Sequence, residues 1–191
     1  MRNRLSHNEF PRPLAGGLKP AVGILTLAVL WLGLLLGVSF LATPAKFLAP
    51  SLTLPVALDV GRQTFAVFNR TEWLLIVLLL ALLLVGPRTP TAVGGFVVAA
   101  AVTIAQALWM LPVLDARVGI IMAGGQPPPS TLHDIYLVAE VIKLLALVAL
   151  SFSMARLLAA GSRSNVQDLT AQTPAGADPI ADRALNPIDR N

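Results

Sequence analysis

Residues 130–158 read STLHDIYLVAEVIKLLALVALSFSMARLL, and this stretch decides the fold. The uncharged run that follows Lys143 ends before Arg156, and a helix over that run measures only about 18 Å. The hydrocarbon core of a bilayer is about 30 Å thick, so a spanning helix needs about 20 residues. A helix that crosses a membrane here must therefore take Lys143 into the hydrocarbon and bring Glu140 in behind it.

The polar residues of this stretch share one helical face. Steps of three and four residues lead from His133 to Tyr136, Glu140 and Lys143, and residues at those offsets are neighbours on a helix. A charge at the bilayer centre costs about 2.5–3.5 kcal/mol on insertion scales, so such residues usually face the bundle interior and pair. Glu140 and Lys143 are then either a self-compensating structural pair or part of a functional polar cavity, and the sequence leaves both open.

The composition is that of a membrane protein. Of 191 residues, 55% are hydrophobic and 13% are charged, whereas a soluble domain carries about 25% charged residues. Cysteine is absent, which excludes disulfides and thiolate metal sites, and the presence of only two histidines argues against a paired-histidine haem. We therefore predict no cofactor and no metal. Most of the net charge of +4 comes from the chain ends and reports topology, so we predict no nucleic-acid partner.

The apolar runs predict an all-α, polytopic membrane protein with four transmembrane helices in one bundle. A basic segment, 1–19, precedes a membrane domain, 20–160, and the tail, 161–191, is rich in Ala, Asp and Pro and is predicted to be disordered. A signal peptide competes as an interpretation of the first apolar run, but that run exceeds the usual 7–15 residues. The predicted spans are about 22–41, 66–85, 91–111 and 132–158.

Local signals add detail to the first and third spans. Gly33 and Gly37 form a G-x-x-x-G pair, which permits close helix approach in the first span. The third span is rich in small residues, including Gly95, and Gln106 is its one strong polar group, for which we expect a helix–helix hydrogen bond. Leu114–Met122 is predicted to be a short surface helix.

The start of the second span stays open. Residues 54–68 form an amphipathic helix before it, with Thr53 as N-cap, which either lies at the interface or begins one long, tilted span. Asn69-x-x-Glu72 could be a capping box that breaks the two pieces. With the span beginning near residue 66, Arg70 and Glu72 are expected at the membrane edge.

Basic residues near the spans predict orientation. Seven fall on one side, and only Lys46, Arg62, Arg70 and Arg117 fall on the other. By the positive-inside rule, the first side is cytoplasmic, so both termini are predicted to lie in the cytoplasm. The membrane is predicted to be a bacterial inner (plasma) membrane. The seven residues are Arg2, Arg4, Arg12, Lys19, Arg88, Arg156 and Arg163.

The candidate site is a polar cluster toward the outer side of the last helix. His133 with Asp134 fits a capping or interfacial pair, and a stable metal site would need three or four ligands. No phosphate loop, G-x-S-x-G or H-E-x-x-H motif is present, so catalytic residues stay unassigned. The candidate cluster comprises His133, Asp134, Tyr136, Glu140 and Lys143, with Asp59, Arg62, Asp115 and Arg117 as possible neighbours.

One pattern of residues extends over 21–158. It consists of Lys46-Phe47 before an Ala-Pro, the 54–68 helix with Gly61-Arg62, Leu114-Asp115-Ala116-Arg117, and Leu132-His133 with Glu140 and Lys143. In these residues the chain resembles a family of four-span bacterial membrane proteins, a domain of unknown function. The resemblance implies a four-helix fold and supplies no activity.

Three functions compete. The first is a non-enzymatic accessory or assembly protein, whose partners are the lipid bilayer and a homo-oligomer or larger membrane complex. The second is a proton-linked carrier or permeation subunit that uses the buried stripe. The third is a membrane enzyme acting on a lipid or quinone, with His133 or Glu140 as general base. The missing catalytic motifs favour the first.

Overall fold

The computed structural model of this protein describes residues 17–172, and the expectations for 1–16 and 173–191 lie outside that range. Its described part is helical without strands. The chain divides into two units, one ending at Ala155 and one beginning at Arg156, and the site described below belongs to the first. The four long helices are α1 (Leu18–Leu48), α2 (Leu54–Val85), α3 (Pro90–Met122) and α4 (Leu132–Gln172).

Each of the four helices contains a segment long and apolar enough to cross a membrane. This confirms the predicted all-α, four-span membrane fold. The helices bury a stripe of apolar side chains against one another and leave many other apolar side chains exposed around the outside. Fully buried members of the core include Ile24, Trp31, Leu35, Leu79, Leu147, Leu150 and Met154.

Helix α2 answers the question that the sequence left open. Residues 54–68 and the second span form one uninterrupted helix, and Asn69-x-x-Glu72 marks no break. Pro55 lies in the first turn, where its missing N–H costs no hydrogen bond, and no other proline interrupts the helix. Thr53 precedes the helix with extended backbone angles, but its side chain makes no capping hydrogen bond. As a result, Glu72 lies inside a long helix rather than at its start.

Two other helices extend beyond their predicted ends. Residues 114–122, expected to be a separate surface helix, are the last turns of α3. Helix α4 runs to Gln172, so residues 161–172 of the tail predicted to be disordered are helical. No proline follows Gly161 until Pro174, so nothing in that segment removes a backbone donor.

Two helices contain a wide, π-helical turn. These turns are Leu36–Ala42 in α1 and Gln106–Met110 in α3. Each ends two residues before a proline, Pro44 or Pro112. A proline inside a helix has no N–H to donate, and its ring clashes with the carbonyl four residues earlier. The wider turn relieves that conflict, and it changes which side chains face the bundle interior.

Helices α3 and α4 approach closely at Gly95. A Cβ at this position would lie 2.7 Å from the carbonyl oxygen of Ala146 and 3.1 Å from the Cβ of Leu150. The small residues of the third span therefore do permit close packing here. By contrast, a Cβ at Gly33 or Gly37 would meet nothing within 4 Å, so the G-x-x-x-G pair makes no helix contact within the described chain.

Gly95→Ala is expected to destabilise the bundle by about 1–3 kcal/mol, because the added methyl forces α3 away from the backbone of α4. Thermal unfolding in detergent measures the effect. Gly94→Ala is the matched control, since a Cβ at Gly94 meets nothing within 4 Å and alanine is the better helix former. Equal melting temperatures for the two variants would contradict the close approach.

Candidate functional site

Six polar side chains from all four helices meet in the core, and we call them the polar network. All are buried: Ser39 is 5% exposed, Glu72 is 1% exposed, and the others are fully inaccessible. The polar network therefore lies out of contact with solvent, in the part of the bundle where hydrogen bonding must be completed internally. Its members are Trp31 and Ser39 of α1, Glu72 of α2, Gln106 of α3, and Glu140 and Lys143 of α4.

Lys143 is the centre of the polar network. Its Nζ lies 2.6 Å from Glu72 Oε1, 2.7 Å from Gln106 Oε1 and 3.0 Å from Glu140 Oε1. The contacts to Glu72 and Gln106 are hydrogen bonds, and the contact to Glu140 is an ion pair. Lys143 is thus the cation shared by both carboxyl groups. The ring of Phe68, one turn before Glu72, adds a cation–π contact at 5.9 Å from Nζ to the ring centroid.

The two carboxyl groups accept hydrogen bonds from different pairs of helices. Glu140 accepts from Gln106 Nε2 at 2.8 Å on Oε1 and from Ser39 Oγ at 3.0 Å on Oε2. Glu72 accepts from Trp31 Nε1 at 3.0 Å, on the same Oε1 that faces Lys143. Each helix is therefore linked to another by at least one buried polar bond.

The wide turns place two of these residues. Ser39 lies within the π-helical turn of α1, and Gln106 begins the one in α3. Both side chains are donors to Glu140, so the two proline-associated distortions converge on one carboxylate. Such turns are frequent at functional sites in helical proteins.

Part of the candidate cluster lies elsewhere. Arg62 Nη2 is 2.8 Å from Asp59 Oδ1, and Arg62 Nε is 3.4 Å from Asp115 Oδ1. These three side chains are partly exposed. They form ion pairs with one another and none with Glu140. Surface pairs of this kind contribute about 0–1 kcal/mol. Arg117 is half-buried in α3.

A groove of about 520 Å³ adjoins this surface cluster between α2 and α3. Phe65, Asn69 and Arg70 line one wall, and Leu111 and Asp115 line the other. No residue of the polar network lines the groove. The groove and the buried charges are therefore separate features.

The residues at the start of α4 have distinct environments. His133 and Asp134 are exposed, and Asp134 lies in the first turn, where a negative charge favours the helix dipole. Ser130 Oγ accepts from the N–H of Leu132 at 3.1 Å, so it caps the start of the helix. Tyr136 is buried and packs edge-on against Phe65, with ring centroids 5.5 Å apart. Within residues 17–172, no group of three His, Asp or Glu side chains could hold a metal ion.

The polar network contains four residues that the candidate cluster did not include: Trp31, Ser39, Glu72 and Gln106. Trp31 and Ser39 gave no signal, because an indole and a hydroxyl are common in apolar spans. Glu72, expected at the membrane edge, was detectable: it precedes Val85 by about 20 Å of helix, which puts it inside the hydrocarbon. Gln106 does make the expected helix–helix hydrogen bond, and makes a second one to the charged Lys143.

Fold and site together define a class: an all-α membrane protein whose four helices enclose a charged, hydrogen-bonded core. Comparison of the chain with known protein families, with curated proteins and with solved structures gave no match. The resemblance to a four-span bacterial family therefore stays a prediction. The function is inferred from the geometry of the polar network.

Proposed function

We propose that this chain is a non-enzymatic accessory or assembly protein of a bacterial inner membrane, with both termini in the cytoplasm. One observation carries the proposal: the polar network joins all four helices through buried hydrogen bonds. Lys143 donates to Glu72 and Gln106 and pairs with Glu140, and both carboxyl groups accept hydrogen bonds from more than one helix. Such a network fixes how the four helices pack, which is a structural role.

The position of the polar network supports the same conclusion. An enzyme or carrier must bring its reacting groups to a substrate, whereas these side chains are buried to 95% or more. The groove between α2 and α3, which could admit a ligand, is lined by other residues. The polar network is thus built to hold helices together rather than to meet a solute.

The apolar outer surface of the bundle is where this chain would contact a neighbouring protein. Strongly exposed apolar side chains lie on all four helices, among them Leu41, Leu84, Leu108 and Leu145. In a bilayer these faces contact lipid or the helices of a neighbour, and helix association in lipid depends on packing of such faces. A second copy of this chain or a larger membrane complex is the proposed neighbour.

The test combines a deletion strain with a compensated variant. Quantitative analysis of membrane complexes should show one complex depleted when the chain is absent. A triple variant, Glu72→Met, Glu140→Leu and Lys143→Met, removes all three buried charges together, and apolar replacement of buried ion groups is often neutral or stabilising. We expect the triple variant to restore the complex as well as the wild type does. A folded triple variant that fails to restore it would overturn the structural role.

A second candidate, a proton-linked carrier or permeation subunit, is favoured by one specific observation. The polar network contains two carboxyl groups but a single amine, so with both carboxyl groups ionised it would carry one excess negative charge. If the chain carries protons, purified protein in liposomes with a trapped pH-sensitive dye should show proton flux under an imposed gradient. Glu140→Gln should then abolish the flux while the amount of folded protein stays normal. Absence of flux for the wild type would remove this candidate.

A further inference from the structure

The charge count of the polar network leads to an inference that holds under either proposed function. Glu72, Glu140 and Lys143 are the charged side chains buried in the described part of the chain. With both carboxyl groups ionised, the core would hold one excess negative charge. An uncompensated charge in a low-dielectric interior costs far more than a surface charge, and proteins normally neutralise it.

The groups that surround the two carboxyls cannot supply the missing positive charge. Helix α1 contributes the neutral Trp31 and Ser39, and α3 contributes the neutral Gln106. Thr103, also buried in α3, is neutral, and so are Phe68 of α2 and Tyr136 of α4 at ordinary pH.

The nearest other cation from α1 is also too far along the bundle. Lys46 Nζ lies 5.0 Å from the centroid of the Phe47 ring and against Gly61 of α2. Gly61 and Glu72 are separated by about 16 Å along that helix. Lys46 therefore does not neutralise the core.

Lys143 cannot reduce the imbalance either. A single amine carries at most one positive charge, and Lys143 already pairs with both Glu72 and Glu140. The remaining way to balance the core is to neutralise one carboxyl group. Two interacting carboxyls near one cation then share a proton as a coupled pair rather than as independent sites.

We infer that the polar network is a binding site for one proton, held between Glu72 and Glu140 and kept at neutral pH. The site then contains one carboxylate, one carboxylic acid and one ammonium, and its net charge is zero. Both neutral and ionised carboxyls can accept the bonds seen here, since each retains acceptor oxygens.

Infrared spectroscopy of the full chain tests this directly, because a carboxylic acid and a carboxylate absorb in separate bands. The chain has only three glutamates, Glu9, Glu72 and Glu140, so carbon-13 labelling of glutamate isolates the relevant signals. We expect one labelled carboxylic acid per wild-type chain at neutral pH. Glu72→Gln and Glu140→Gln should each reduce it to zero, because the remaining acid then balances Lys143 alone. Glu9→Gln is the matched control and should keep the full signal.

Each other result would overturn the inference. Absence of the carboxylic acid band in the wild-type chain would mean that no proton is bound. If the melting temperature of that chain is then higher in sodium chloride than in choline chloride, a sodium ion balances the charge instead. Persistence of the band in either network variant would show that charge balance does not govern the site. The wild-type measurement needs no substitution, so it decides the matter even if a variant fails to fold. The infrared result does not depend on the accessory role, so the two proposals can fail independently.

Discussion

Lys143→Met is expected to cost about 3–5 kcal/mol of folding free energy, because it leaves two buried carboxyl groups without their cation. Three polar contacts disappear at once, to Glu72, Gln106 and Glu140. Since the whole stability of a domain is about 5–15 kcal/mol, we expect little folded protein in the membrane. The yield of monodisperse protein in detergent and its melting temperature measure the loss.

Two controls separate charge imbalance from loss of bulk. Lys46→Met removes a half-buried lysine that makes a ring contact outside the polar network, and it should change the melting temperature little. The compensated triple variant, in which Glu72 and Glu140 are also replaced by apolar residues, should recover most of the lost stability. If Lys143→Met alone were as stable as the triple variant, the ammonium would have no role in holding the core.

Gln106→Leu is expected to cost on the order of 3 kcal/mol, since hydrogen bonds to charged groups contribute about 1.5–3 kcal/mol each and two are lost. The leucine is similar in size, so the loss is one of hydrogen bonding rather than of packing volume. Lys143 loses one acceptor and Glu140 loses one donor, in a site that water does not reach. Denaturant or thermal unfolding in detergent measures the change.

Gln63→Leu provides the comparison for this second substitution. Gln63 is exposed on α2, so the same chemical change there removes no buried bond. We expect its stability to stay within about 0.5 kcal/mol of the wild type. A similar loss in both variants would mean that Gln106 is replaceable and that the polar network is looser than its geometry indicates.

The sequence by itself determined that Glu140 and Lys143 are buried, because the last apolar run is too short to span a bilayer without them. The same length argument applies to Glu72, whose depth follows once α2 is known to be continuous. Four spans and an all-α fold were likewise encoded in hydropathy. These are one-dimensional properties, so they can be derived from residue order alone.

Only the tertiary structure decided which partners surround those charges. Trp31 and Ser39 are indistinguishable by sequence from many other polar side chains in apolar helices, and their role depends on how α1 is rotated and widened before Pro44. Likewise, Asp59, Arg62 and Asp115 share the charge pattern of the candidate cluster but pair with each other at the partly exposed surface. Helix rotation and contact between distant segments are three-dimensional quantities, and a pair such as Glu72 and Lys143, separated by 71 positions, becomes one site only when the bundle assembles.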